Sequence, residues 1–194
     1  MHRQRRFGTV LLLPASFVAL TAARAESLPI DTAKSVMTVR VYKSGVLSAF
    51  GHDHEIAAPI AGGSVDVAAH RVELRVNAAA LRVRDPKTSE KDRAEIQKTM
   101  LGSEVLDSER FTEIVFRSSA AEPAGEGAWQ VRGELTLHGA TKPVVVEVRE
   151  SGGRYAGTAR LRQSDFAIQP VKVAGGTVKV KDEVRIEFDI QLAR

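Results

Sequence analysis

The sequence contains no cysteine. That excludes a thiol nucleophile, a lipid-modified cysteine anchor, a thioether-linked haem and any iron–sulfur cluster held by thiolates. It also rules out disulfides, so the fold rests on an ordinary core. Charge of one sign is lacking too. Four of the 28 basic residues and none of the 24 acidic ones fall within residues 1–25, so the rest of the chain carries 24 of each. A folded domain without net charge has no basic stripe to offer, and no nucleic-acid partner is expected. There is no Gly-x-Ser-x-Gly elbow, no phosphate-cradling glycine loop and no defensible pair of carboxylates. Neither an internal repeat nor a linker argues for two domains, and residues 26–194 are long enough for one core.

What is present begins with an export pattern. Arg3, Arg5 and Arg6 precede an apolar run from Phe7 to Leu20, followed by Ala23-Arg24-Ala25. The run is short, contains Pro14 and ends in small residues. This predicts a signal peptide cut after Ala25, a periplasmic or secreted product, and no membrane anchor afterwards.

The two-residue alternation of a strand with one dry face dominates the remainder. Val131, Leu135 and Leu137 oppose Arg132, Glu134, Thr136 and His138. After a break at Gly139–Lys142 and Pro143, Val144, Val146 and Val148 continue the alternation, so the pair reads as an antiparallel hairpin. The same pattern places Met37, Val39 and Val41 inward on a first strand, Leu74 and Val76 on another, and Phe116 on a third. Ala120 to Gly127 reads as a loop. The last strand is the cleanest, with Val184, Ile186, Phe188, Ile190 and Leu192 facing in. One helix, Thr88 to Leu101, has Ser89 to cap it, acids in its first turn and Gly102 to end it.

The fold class read from this is all-β with one main helix. About eight antiparallel strands leave exposed edges unless the sheet closes, and a barrel of that size holds side chains or one small ligand. A two-sheet sandwich has the same alternation and is the structural rival. If the barrel is hollow, its lining is Met37, Val39, Val41, Leu74, Val76, Phe116, Leu135, Val146, Ile186 and Phe188. If it is solid, these ten are core.

Polar chemistry concentrates at Gly51-His52-Asp53-His54-Glu55. On a strand, His52 and His54 point to one face at a spacing that suits a metal ion, while Asp53 and Glu55 point away. Two imidazoles are an incomplete site, because a catalytic zinc takes three protein ligands. His138, His70 or an acid brought over by folding is needed as the third; otherwise the pair is a polar rim. No cofactor and no enzymatic activity are expected on the first reading, and a metal-dependent role for His52 and His54 is the alternative.

Three stretches resemble one known family. They are Leu106-Asp107-Ser108-Glu109-Arg110-Phe111-Thr112-Glu113-Ile114-Val115-Phe116, the hairpin Gly133-Glu134-Leu135-Thr136-Leu137-His138-Gly139-Ala140-Thr141-Lys142-Pro143-Val144, and Ser164-Asp165-Phe166-Ala167-Ile168. In order and spacing they resemble the YceI-like exported bacterial proteins. Thr112 stands where that family usually has Pro, and Ala167 where it usually has Gly. Gly51-His52-Asp53-His54 resembles a subset of the family with that signature. The resemblance implies an extended lipocalin-like barrel with an apolar tunnel that holds a polyisoprenoid or other lipid-like chain.

Overall fold

A computed structural model describes residues 27–44, 53–173 and 178–193. The strands, in chain order, are β1 (Ser27–Pro29), β2 (Val36–Ser44), β3 (His54–Ala57), β4 (Ile60–Asp66), β5 (Arg71–Asn77) and β6 (Arg82–Val83). After helix α1 (Glu90–Leu101) come β7 (Glu113–Gly125), β8 (Ala128–Leu137), β9 (Ala140–Ser151), β10 (Arg154–Arg162), β11 (Lys172–Val173) and β12 (Val178–Gln191). All belong to one antiparallel sheet, ordered β1-β4-β5-β7-β8-β9-β10-β12-β2-β3-β6, with β11 on β12. Two stacked sheets are therefore not what forms.

Among the described residues the count is twelve strands, not the eight or so expected. The excess comes from interruptions that alternation does not register. Asp31 Oδ1 accepts from the backbone N–H groups of Ala33 and Lys34 and turns the chain between β1 and β2. Ala58–Pro59 separates β3 from β4, where proline has no N–H for a ladder. Asn77 Oδ1 caps a 3₁₀ turn at Ala78–Ala80, between β5 and β6, by accepting from Ala79 N at 2.9 Å. The sheet curls back on itself. Residues next to β1 meet the end of β12 through Asp31 N to Gln191 O and Ala193 N to Pro29 O, both 2.8 Å.

The central hairpin turns more tightly than its sequence suggests. The break is two residues, His138 and Gly139, at φ 50° and 75°. Positive φ at both positions is the type I′ geometry that matches strand twist. Pro143 is inside β9, opposite Glu134. It is tolerated because β10 accompanies β9 only as far as Val146. The expected loop at Ala120–Gly127 is also corrected. β7 continues to Gly125, with Pro123 opposite Trp129. β5 leaves β7 at Arg117, so beyond that point β7 is the edge strand and proline costs no bond on its open side.

The helix begins at Glu90, two residues later than the Thr88 start read from the sequence, with Ser89 as the expected cap and Leu101 as the expected end. Ser89 Oγ accepts from Asp92 N at 3.1 Å, and Glu90 and Asp92 occupy the first turn. Met100 is its buried residue, packed with Ile56, Val76, Leu81, Val83 and Leu106 at one end of the sheet. At the same end, a 3₁₀ turn at Gln163–Phe166 places Phe166, 1% exposed, against Leu135, Leu161, Ile168 and Val184.

Candidate functional site

Inside the curl lies a cavity of about 560 Å³. All ten side chains named from the sequence line it: Met37, Val39 and Val41 of β2, Leu74 and Val76 of β5, Phe116 of β7, Leu135 of β8, Val146 of β9, and Ile186 and Phe188 of β12. Strand register explains their convergence. Val39 pairs with Ile186, Met37 with Phe188, Leu74 with Phe116, and Phe116 with Leu135. Directly opposed residues share a face, so each pair extends the same apolar wall. Small residues make the room. Ala159 lies opposite both Val146 and Ile186. Gly133 and Gly157 lie flat beneath the rings of Phe116 and Phe188, where an added Cβ would come within 2.6 and 2.5 Å of ring carbons.

Sequence reasoning missed part of the lining. Met100 and Leu106 come from the helical excursion, and Ile168 from the segment after the 3₁₀ turn; both lie outside strand alternation. It also missed a polar group at one end: Asp66, His70, Glu150 and Tyr155, with Trp129 beside them. The His70 and Trp129 rings stack at 5.0 Å. Burial raises the Tyr155 hydroxyl above its ordinary pKa, and the nearby Glu150 carboxylate adds to the effect. These residues sit at turns and strand ends, where no periodicity points to them.

The histidine stretch is at the opposite end. His52 lies outside the described residues. His54 pairs across the ladder with Val41, so it shares the inner face. Its Nδ1 is 2.6 Å from Asp85 Oδ2, and the other Asp85 oxygen accepts from Glu55 N at 2.7 Å. Since a carboxylate only accepts, Nδ1 carries the proton in this bond. Asp85 is 3% exposed and bonds the imidazole ring itself rather than standing beside it as a further ligand. Asp53 and Glu55 turn away as expected: Asp53 accepts from Lys43 N at 2.9 Å, and Glu55 pairs with Arg40 at 2.8 Å. Arg40 also bonds Glu187 at 2.9 Å, and those two carboxylates, Glu187 first, raise its pKa. A second cleft of about 350 Å³ is lined by Arg40, Tyr42, His54, Asp85, Lys87 and Thr88 among others.

The other proposed ligands do not come to His54. His138 Nδ1 meets Phe166 O at 3.1 Å, and its ring packs edge-on to Phe111. His70 is in the turn after β4, against Trp129. Among the described residues, no group of three or more His, Cys, Asp or Glu is placed to hold a metal ion.

The family model for the YceI-like domain matches residues 29–192. The chain belongs to the YceI-like family. A UPF0312 protein of Vibrio vulnificus is 26% identical over 192 residues, covering 93% of this chain and 94% of that protein. A UPF0312 protein of Vibrio cholerae is 31% identical over 113 residues; that match spans 53% of this chain and only 58% of the relative. The crystal structure of Burkholderia cenocepacia BcnA superposes with a TM-score of 0.65 at 22% identity, covering 85% of this chain and 99% of BcnA. The Campylobacter jejuni YceI protein gives 0.51 at 9% identity, covering 95% and 94%. At these identities the structural neighbours establish the fold: a YceI-like, mostly antiparallel β architecture with one helix.

Proposed function

We propose that this YceI-like protein is exported and holds an isoprenoid or other lipid-like amphiphile in its cavity, as a lipocalin-like carrier without a chemical step. The observation that carries the reading is the apolar interior of about 560 Å³, in the usual range for a single small ligand. Some 15 buried carbons supply roughly 12 kcal/mol at about 0.8 each. Association costs on the order of 4–15 kcal/mol. A chain must therefore bury on the order of that many carbons to stay bound. Export rests on the Arg-rich start, the short apolar run and Ala23-Arg24-Ala25.

The test is native mass spectrometry of protein purified from its host without detergent, followed by solvent extraction. One amphiphile per chain supports the reading. A chain of bare polypeptide mass, with nothing in the extract, refutes it.

A metal-dependent role for His54 is the second reading, and one observation favours it. Asp85 fixes Nδ1 at 2.6 Å and leaves Nε2 as the nitrogen for a further partner. Metal-bound imidazoles are held by carboxylates in this way. Metal content that falls on His54→Ala supports it; content that does not change refutes it.

A further inference from the structure

The geometry points to a cavity mouth at the His70 end that selects amphiphiles with an uncharged or cationic, hydrogen-bond-donating head over chains with a phosphate head. This rests on the carrier reading above and adds the class of ligand. The two ends of the cavity differ. Val67, 50% exposed, and His70, also exposed, line it at one end, so there it reaches solvent. At the other end the lining is Leu106, Leu161 and Ile168, all buried, with Phe166 behind them, and one half-buried polar side chain, Gln163, whose amide donates to Lys181 O at 2.9 Å. A chain enters and leaves past Val67, and its head stays there.

The polar side chains at that mouth are Asp66, His70, Glu150 and Tyr155. Among the described residues no lysine or arginine lines the cavity. Arg154, in the adjacent turn, is bound to Asp189 at 2.9 Å. Asp66 accepts from Ala69 N at 2.8 Å and Glu150 from Gly153 N at 3.0 Å. Each carboxylate keeps further acceptor positions, which an alcohol or ammonium group can use. A phosphate brings about −1.5 to −2 charges and only acceptors. Like charges near 4 Å cost about 1 kcal/mol per pair even in water, and more at a mouth half walled by protein.

Trp129 is the only tryptophan and sits at this mouth, so its fluorescence reports occupancy. The experiment titrates the delipidated full chain with farnesol, farnesylamine and farnesyl diphosphate. The expected result is that farnesol and farnesylamine bind at least on the order of tenfold more tightly than the diphosphate. The near-isosteric pair Asp66→Asn and Glu150→Gln keeps the acceptors for Ala69 and Gly153, so folding is preserved. In that variant the gap between farnesylamine and farnesyl diphosphate narrows. Diphosphate binding as tight as farnesol, or a gap the variant leaves unchanged, overturns the head-group inference and leaves the carrier reading standing. Failure of all three probes overturns both.

Discussion

Replacing Ala159 with Leu separates a hollow barrel from a solid one by the sign of its effect. Ala159 is 8% exposed, lies opposite Val146 and Ile186, and lines the cavity. In a packed core the added carbons have nowhere to go, and overpacking costs about 1–3 kcal/mol. Facing empty space, three further carbons leave water or gain contacts, worth roughly 2.4 kcal/mol at about 0.8 each. Fixing the leucine rotamer takes back about 0.5–1 kcal/mol. The net expectation is a stabilisation of roughly 1.5 kcal/mol, or a rise in Tm of about 3–6 °C for a domain of this size. The added side chain also takes up space in the cavity, so the longest retained chain shortens. The assay is urea unfolding of delipidated wild type and variant with linear extrapolation. A destabilisation of about 1 kcal/mol or more would refute the reasoning, because it would mean that the position is already in contact on every side.

Other expectations follow from single residues. Asp85→Ala strands Glu55 N and His54 Nδ1 and should cost about 1–3 kcal/mol in urea unfolding; a loss within about 0.5 kcal/mol contradicts the bonding described. Ala167 stands at φ 60°, where a side chain costs about 1–2 kcal/mol; glycine gives back about 0.5–1 in chain entropy. Ala167→Gly should therefore raise stability by roughly 0.5–1 kcal/mol, and a lowered midpoint would count against it. The Ser164 hydroxyl and backbone N–H bonds hold the Asp182 carboxyl below its ordinary pKa. A depressed carboxyl contributes stability above its unfolded pKa and loses it as pH falls through the folded one. The advantage of wild type over Asp182→Asn should thus be full near neutrality and shrink below about pH 4; a constant difference across that range would exclude this role.

The wall of the site was legible in the sequence because burial on one face imposes alternation. Met37, Val39 and Val41, or Ile186 and Phe188, announce their side before their partners are known. What closes the far end was not legible. Phe166, Ile168 and Met100 come from turns and a helix whose direction depends on tertiary contacts. Pro143 read as a strand breaker and Ala120–Gly127 as a loop, yet Pro143 and Pro123 both lie in strands at places where the neighbour on one side has left the ladder. Asp85 was invisible as a partner for His54, 31 residues away, because nothing local ties the two. Ala167 was noticed as a departure from the family's usual glycine, and its positive φ gives that departure a physical meaning.

The measurement that bears most directly on a hollow, apolar interior is xenon binding in crystals of the delipidated chain, since dry apolar cavities take up xenon. The account predicts xenon between Val146, Ala159 and Ile186, inside the curl of the sheet. A xenon-free interior in which those side chains are packed against the opposite wall would contradict it.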